Sequence, residues 1–223
     1  VSPGITERAG ERARFAQDQL MTIPNPAYPA AAVEHARGHP VARPPGARVH
    51  IISAGRLSPE KDQRTLVDAL AHLIRRGDDG FHLTILGDGP QRDTLVSHAA
   101  SLGVAGHLHL PGFVRRPLDY MADADIFALS SVREAFGFVL VEALALGLPV
   151  VSTDCPYGPR FILDGGRFGR LVPVGDAEAL ADALAAAASG RTDPARLIDH
   201  ARTFTPAATA GQYLTCLDAL DQN

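Results

Sequence analysis

The sequence predicts a doubly wound α/β domain, in which a parallel sheet lies between two layers of helices. Short apolar runs alternate along the chain with longer stretches whose apolar residues recur at helical spacing. Strands and helices that alternate in this order form βαβ units, and such units build a parallel sheet. Glycine directly follows the first two runs, at Gly55 and Gly87, as expected where a strand turns into the next helix.

The composition is that of a folded protein without an excess of positive charge. Hydrophobic residues make up 46% of the 223 residues and charged residues 21%, which is enough apolar surface for a packed core. The net charge of -4 gives no electrostatic reason to expect nucleic acid or an anionic membrane as a partner. Cys155 and Cys216 lack metal-ligand spacing and suit a reducing compartment. No leader peptide or membrane-spanning run is evident, so we expect a cytoplasmic protein.

Residues 1–48 are predicted to be largely irregular. A helix is expected over 6–20, with Arg8, Arg12 and Arg14 on a solvated face. The closely spaced prolines between 24 and 45 argue for an extended linker after it. The organised part of the chain is therefore expected to begin at Val49.

From Val49 onward the chain divides into alternating elements. Strands are predicted at 49–54, 81–86, 107–110, 126–129, 148–152 and 169–172. Helices are predicted at 60–76, 91–101, 118–121, from near 137 to 145, 176–189, 193–203 and 207–221. The first of these helices has apolar residues at helical spacing, namely Leu66, Leu70, Leu73 and Ile74. Asp176 is predicted to cap the alanine-rich helix that follows it.

The loop after the first predicted strand carries two cations, and ligands of doubly wound sheets bind beyond the carboxyl ends of the strands. Arg56 and Lys61 stand next to the predicted start of a helix, whose dipole disfavours cations there unless an anion lies between them. This arrangement predicts a diphosphate site. The alternative is a pair of exposed basic residues that are neutralised by Glu60 and Asp62.

The stretch after the fourth predicted strand carries two carboxylates, Glu134 and Glu142, on either side of Gly137. A helix that begins near Gly137 offers unpaired N–H groups, which attract phosphate, and both side chains could reach a ligand lying there. An ionised carboxylate only accepts hydrogen bonds and therefore suits hydroxyl groups. A sugar nucleotide carries both phosphates and hydroxyls. The alternative is a surface helix with two solvated glutamates.

Two further loops at this edge of the sheet allow more than one interpretation. The turn from Gly87 to Pro90 permits close backbone approach, but it also suits an ordinary strand-to-helix connection. It matches neither a dinucleotide-binding signature nor a P-loop. The loop with Phe113 and Val114 could hold a base by stacking or through its backbone groups.

Histidine and cysteine give no stronger indication of a site. His107 and His109 lie two apart on a predicted strand and could ligate a metal, but no third ligand is apparent and a polar strand face is the simpler interpretation. Cys155 lacks a histidine placed to activate it. We therefore predict that Cys155 is a small packed residue.

The order of the motifs resembles the C-terminal domain of the family-four retaining glycosyltransferases. The motifs, within residues 49–190, are G-R-L-S-x-E-K-D, G-D-G-P, L-P-G-F, S-x-x-E-A-F-G-F-V-L-V-E-A-L-A-L-G-L-P-V-V and G-x-L-V-P-x-G-D. The resemblance implies the GT-B fold, in which two Rossmann-like domains face each other across a cleft. It assigns 1–48 to the end of the N-terminal domain and the linker, 49–190 to the nucleotide-sugar-binding domain, and 191–223 to helices that pack back toward the N-terminal domain.

The resemblance also implies a role for each candidate residue. The catalytic candidates are Arg56 and Lys61, which hold the donor diphosphate, and Glu134, which contacts hydroxyls of the transferred sugar. Glu142 accepts hydrogen bonds from both ribose hydroxyls. The backbone that meets the sugar and phosphates comes from Phe136, Gly137, Phe138 and Val139. The residues that border the base are Gly87, Gly89, Phe113 and Val114.

The implied reaction is retaining transfer from a nucleotide-sugar donor, without a metal, another cofactor or a protein nucleophile. The run from Cys155 to Pro159 resembles members that use UDP-sugars. The acceptor, which is a sugar, a lipid or a small molecule, is held by the N-terminal domain, and this chain is expected to lack that domain. The chain alone is therefore expected to bind donor and to transfer little sugar. Membrane association through the absent domain, at the inner face of the membrane, is left open.

Two other functions stay open on the sequence. The first is another enzyme of the same shape, a UDP-sugar 2-epimerase or a phosphorylase-like protein, although the acid/base residues of the one and the pyridoxal-phosphate lysine of the other are not apparent. The second is a sugar-nucleotide-binding module that regulates a partner.

Overall fold

The computed structural model describes residues 2–13 and 20–221, and its centre is a six-stranded parallel sheet. The strands are β1 (Val49–Ala54), β2 (Phe81–Leu86), β3 (Leu108–Gly112), β4 (Ile126–Leu129), β5 (Val150–Thr153) and β6 (Arg170–Val172). Their order is β3-β2-β1-β4-β5-β6, and every neighbouring pair is parallel. The predicted doubly wound fold is thereby confirmed. The order reverses between β1 and β4, which is where such sheets bind ligands.

Helices cover both faces of the sheet. They are α1 (Pro3–Ala13), α2 (Ala30–Gly38), α3 (Gln63–Arg75), α4 (Arg92–Ser101), α5 (Pro117–Met121), α6 (Phe138–Leu146), α7 (Gly158–Ile162), α8 (Ala177–Ser189), α9 (Pro194–Ala201) and α10 (Pro206–Asp221). α3, α4 and α8 pack on one face, whereas α2, α5, α6, α7 and α9 pack on the other. None of the described helices is long and apolar enough to cross a bilayer.

The four central strands, β1, β2, β4 and β5, are mostly buried because helices cover both of their faces. Along β1, Ile51 points into the core under α3 and α8, and the next residue, Ile52, points into the core under α6. Side chains that alternate in this way turn a continuous apolar run into two separate cores. This burial fixes the strands, and with them the loops at their carboxyl ends.

The segment before β1 is more ordered than the sequence predicts. α2 lies between Pro29 and Pro40 and buries Val33 and Ala36. The prediction of an extended linker was wrong here, because these prolines flank a helix and do not interrupt it. The helix predicted over 6–20 is present as α1, whereas its predicted continuation over 14–19, with Arg14, lies outside the described residues.

Three other differences follow from local turn chemistry. α3 begins at Gln63, later than predicted, because the preceding Asp62 is left-handed with φ of 44°. A 3-10 turn over Ala105–His107 delays β3, so the prediction that His107 and His109 share a strand was wrong. The short helix α7 was not predicted, and it follows Tyr157, whose φ is 84°. The remaining predicted elements agree within one or two residues.

The loops after β1 and β2 pack backbone against backbone. Leu57 N donates to Asp88 O at 3.0 Å. A Cβ atom on Gly87 would lie 2.0 Å from the carbonyl oxygen of Gly55, and one on Gly89 would lie 2.3 Å from that of Leu57. Gly87 also has φ of 132°. The close approach of the two loops therefore requires glycine at both positions.

Gly87→Ala is expected to lower the free energy of unfolding by about 2–3 kcal/mol, because the methyl group meets backbone and the residue is held at an unfavourable φ. Urea denaturation followed by circular dichroism measures this change. Gly106→Ala is the matched control, since it meets nothing within 4 Å. Equal stability of the two variants would show that the loops can separate without cost.

Candidate functional site

Three loops at the carboxyl ends of the central strands meet at Glu134. Lys61 Nζ, in the loop after β1, donates to Glu134 Oε1, and so does Ser131 Oγ at 2.7 Å. The backbone of Glu134 also bridges to Tyr157, in the loop after β5. The loops after β1 and β4 are joined by a second contact, in which Ser130 Oγ donates to Lys61 O at 2.9 Å. The structure thus brings together two residues that the sequence separates by 73 positions.

The Lys61–Glu134 ion pair is largely removed from solvent. The side chain of Glu134 is 9% exposed and that of Lys61 is 28% exposed. A carboxylate buried to this degree needs both a counter-charge and hydrogen bonds, and it has them on Oε1. Among the described residues, Oε2 receives no hydrogen bond. The ammonium group and Oε2 can therefore both meet a ligand.

The N-terminus of α6 begins directly beside this ion pair. Gly137 precedes the helix in the left-handed conformation with φ of 95°, and no side chain caps the first turn. The first turn contains no acidic residue. Leu140 N donates to Gly137 O at 2.9 Å, so the amide groups of Phe138 and Val139 and the positive end of the helix dipole are available to an anion. Phe136 is buried against Phe161 and Phe204, which anchors the start of the helix.

The candidate residues line two adjacent cavities of about 350 Å³ each, which share Ala54 and Gly55. The first cavity contains the ion pair and the start of α6, and its predicted site residues are Lys61, Glu134, Phe136, Gly137, Phe138 and Val139. The second cavity lies between the loops after β1, β2 and β3, and its predicted site residues are Arg56, Gly87, Phe113 and Val114. The shared residues connect an anion-binding region to a mainly apolar one.

Two predicted residues, Gly89 and Glu142, line neither of these two cavities. Gly89 holds the loops together, as described above. Glu142 lies one helical turn after Phe138 and thus on the same side of α6. It is half-buried, and this burial raises the pKa of its carboxyl group.

Eight residues that line these cavities were not among the predicted site residues, and they include Asn25, Leu86 and Ala135. Ala54 and Gly55 end β1, and their small size opens the floor of both cavities. Asp88 and Pro117 line the second cavity. Ile5, on α1, lines the first. The sequence could have indicated Gly55, because it directly follows a predicted strand. It could not have indicated Ile5, which reaches the cavity only through long-range packing.

Cys155 is buried, as the sequence predicts. Burial, and secondarily the nearby charge of Glu134, raises the pKa of its thiol to about 11. The thiol therefore stays protonated at neutral pH and is a poor nucleophile. In the described part of the chain, no three His, Cys, Asp or Glu side chains are arranged to hold a metal ion.

Comparison with known families identifies the chain. Residues 39–204 match the family described as glycosyl transferases group 1. The chain belongs to this family. The resemblance that the order of the motifs predicts is thereby confirmed.

The chain is similar to curated bacterial glycosyltransferases. It is 34% identical over 183 residues to the lipopolysaccharide core biosynthesis glycosyltransferase LpsE of Rhizobium meliloti, covering 82% of this chain and 51% of that protein. It is 40% identical over 131 residues to a phosphatidyl-myo-inositol mannosyltransferase of Mycobacterium leprae, covering 57% of this chain and 34% of that protein. The chain thus spans about half the length of the first relative.

Solved structures share the fold. The lipopolysaccharide outer core galactosyltransferase WaaB in its apo form superposes with a TM-score of 0.76 at 22% identity, covering 98% of this chain and 60% of that one. Anabaena HepE in complex with UDP superposes with a TM-score of 0.68 at 23% identity, covering 85% of this chain and 53% of that one. The fold is that of the C-terminal domain of a GT-B glycosyltransferase.

Lys61→Met is expected to lower the free energy of unfolding by about 2–3 kcal/mol, because it leaves the Glu134 carboxylate buried without its counter-charge. The double variant Lys61→Met/Glu134→Gln should recover part of this loss. Urea denaturation of the two single variants, the double variant and the unaltered chain gives the coupling energy. Arg48→Met is the matched control, because its pair with Asp79 is largely exposed, and it should change stability little. Similar losses for Lys61→Met and Arg48→Met would contradict the importance of the buried pair.

Glu142→Gln is expected to stabilise the fold at neutral pH. Burial raises the pKa of the Glu142 carboxyl group in the folded chain. The stability of the fold therefore falls as the pH rises from the pKa of this group in the unfolded chain through its pKa in the folded chain. Glutamine does not ionise, so the variant keeps this stability. It should therefore be more stable than the unaltered chain at pH 7, and the difference should vanish below about pH 4. Thermal unfolding across this range measures it, with the exposed Glu34→Gln as control. An advantage that does not depend on pH would rule out the ionisation of Glu142 as its cause.

Proposed function

We propose that this chain is the donor-binding half of a retaining glycosyltransferase that uses a nucleoside-diphosphate sugar, and specifically a UDP-sugar. The observation that carries the proposal is the convergence of Lys61, Glu134 and the uncapped start of α6 at the point where the strand order reverses. This arrangement offers positive charge for a diphosphate and a carboxylate for sugar hydroxyls in one cavity.

The diphosphate is proposed to lie between the loop after β1 and the start of α6. Arg56 and Lys61 line the two adjacent cavities, one cation in each, and the helix contributes its free amides. Charge-assisted hydrogen bonds of this kind are about twice as strong as neutral ones. The same groups would stabilise the negative charge that develops on the leaving diphosphate.

The transferred sugar is proposed to contact Glu134 and the backbone of residues 136–139. Both hydrogen bonds of the carboxylate use Oε1, so Oε2 is available to a sugar hydroxyl. Since Glu134 is already oriented by Ser131 and Lys61, it does not need to be ordered when the donor binds. A donor held in this way presents its sugar toward the open side of the first cavity.

The nucleoside is proposed to extend into the second cavity. Its base would lie against Phe113, which is 77% exposed, and Val114, with the glycine-rich turn after β2 beneath it. Glu142 would accept hydrogen bonds from the two ribose hydroxyls. Burial raises the pKa of Glu142 and thus disfavours its ionised form, and hydrogen bonds from the ribose hydroxyls would oppose that effect. The UDP-bound structure of HepE, which has the same fold, supports UDP as the nucleotide.

The reaction proposed for the whole enzyme is transfer with retention, without a metal or a covalent protein intermediate. The departing diphosphate, held by Arg56 and Lys61, would help to deprotonate the acceptor on the same face of the sugar. The match covers about half the length of the first relative, and we propose that the acceptor is held by a further domain in the part that this chain does not match. Positioning the acceptor supplies much of the rate acceleration, so this half alone should transfer little sugar.

Calorimetric titration with UDP, uridine and UDP-sugars, without added magnesium, tests the donor site. Arg56→Ala should weaken binding of UDP about tenfold or more and leave binding of uridine nearly unchanged, because it removes a charge-assisted contact to phosphate only. Arg56 is the cleaner probe, since replacing Lys61 also disturbs Glu134. Equal losses for UDP and uridine would show that Arg56 acts on the fold and not on phosphate.

The two glutamates serve as internal controls in the same titrations. Glu142→Gln should weaken UDP itself, whereas Glu134→Gln should weaken only the intact sugar nucleotide. If both variants bind UDP equally, the placement of Glu134 beside the sugar is incorrect. If no nucleotide binds to the unaltered chain, the proposed function is wrong.

A further inference from the structure

A separate cavity of about 440 Å³ lies at the opposite edge of the sheet, near the amino-terminal ends of β5 and β6. Its walls are the turn before β6, the C-terminal end of α8, the loop from 190 to 193 and the start of α9. Four of its lining residues are arginines, namely Arg167, Arg170, Arg191 and Arg196. The cavity is thus strongly basic in a chain whose net charge is -4.

The described residues do not supply enough negative charge to neutralise these arginines. Arg167 pairs with Asp164 at 2.6 Å. Asp193 is the carboxylate that lines the cavity, and it accepts a hydrogen bond from Ala195 N at 3.0 Å as the cap of α9. No carboxylate in the described ranges lies within 4.0 Å of Arg170, Arg191 or Arg196. All four arginines are exposed, so solvent screens most of their mutual repulsion, and an anion bound between them would remove the remainder.

The C-terminal end of α8 is the main alternative source of compensation. Its carbonyl groups carry a partial negative charge of about half an elementary charge, which suits one nearby cation. Four arginines exceed that capacity. Arg167 is paired with Asp164 and the helix end can compensate one more arginine, so two of the four remain without a counter-charge among the described residues.

Stacking on an aromatic ring orients two of the four arginines in this cavity. The ring of Phe168 stacks on His200 with 3.7 Å between the ring centroids, and His200 Nε2 is fixed by Ile162 O at 2.7 Å. The guanidinium carbons of Arg167 and Arg196 lie 5.5 Å and 5.1 Å from the Phe168 centroid. A guanidinium group that stacks on an aromatic ring keeps its N–H groups free at the edge, where they can form bidentate hydrogen bonds.

We infer that this cavity is a second anion site, which binds a phosphate group through Arg170, Arg191 and Arg196. Phosphate matches the fork geometry of guanidinium better than a single carboxylate does, because it offers several oxygens to several forks at once. The site lies at the other end of the strands from the proposed donor site, so the two ligands would not compete. The phosphate belongs either to a small soluble molecule or to the headgroup of an anionic lipid, and both sources offer the same chemistry.

Binding of inorganic pyrophosphate, measured by calorimetry, tests the inference in the Arg56→Ala background, in which the proposed donor site contributes little. The cavity variant adds Arg170→Gln, Arg191→Gln and Arg196→Gln. The control variant adds the same change at three exposed arginines elsewhere, Arg12, Arg64 and Arg202. The cavity variant should bind pyrophosphate about tenfold more weakly or worse, whereas the control should match the background.

Sedimentation with vesicles distinguishes the two sources of phosphate. Association with phosphatidylglycerol vesicles but not with phosphatidylcholine vesicles, lost in the cavity variant alone, would assign the site to a lipid headgroup. Pyrophosphate binding without vesicle association would assign it to a soluble ligand. Arg191→Gln alone lies in a loop, and it should weaken binding measurably even if the triple variant folds poorly.

Equal pyrophosphate binding by the cavity and control variants, or none in the background, overturns the inference. The outcome does not depend on the proposed function. If the donor site is incorrect, Arg56→Ala changes nothing, and the comparison between the two triple variants still reports on the cavity.

Discussion

The ion pair between Lys61 and Glu134 is the contact on which the candidate site depends. It joins the loop after β1 to the loop after β4, across the point where the strand order of the sheet reverses. A doubly wound sheet leaves a crevice at that point, and a crevice lined by loops has a defined shape only if the loops are held together. The ion pair and the Ser130 and Ser131 hydrogen bonds provide that restraint. The two cores, one on each face of the sheet, hold in place the strands from which the loops extend.

Close backbone contacts also hold the neighbouring loops in place on both sides of the crevice. Gly87 permits the loop after β2 to lie against Gly55, and Gly158 permits the loop after β5 to lie against the carbonyl group of Phe136. A side chain at either position would push its loop away from the crevice. These glycines therefore do more than permit turns. They let neighbouring loops approach each other closely, and this approach sets the width of the site.

The sequence predicted most of the fold because burial on both faces leaves a clear pattern. β1, β2 and β4 match their predicted limits, since each is a short and mainly apolar run, and glycine directly follows β1 and β2. α2 was missed because the surrounding prolines suggested a linker, and the late start of α3 depends on the left-handed conformation of Asp62. The candidate site residues were predicted separately for each loop. That Lys61 pairs with Glu134 was not predictable, because the contact is set by strand order and not by any local pattern. The arginine cavity was missed for the same reason, since its arginines are spread over 30 residues, from 167 to 196.

The ion pair also affects how a donor could be accepted. An ammonium group has three N–H donors and a carboxylate has two oxygens, whereas the pair uses only one donor and one oxygen for the Lys61–Glu134 contact. A phosphate can therefore bind Lys61, and a sugar hydroxyl can bind Glu134, without breaking the pair. The buried charges are then already paired and oriented before the ligand arrives, which reduces the entropy that binding must remove. A site in which the two residues were separate would have to desolvate each charge when the ligand binds. In this protein, both charges are already largely removed from water when the chain folds.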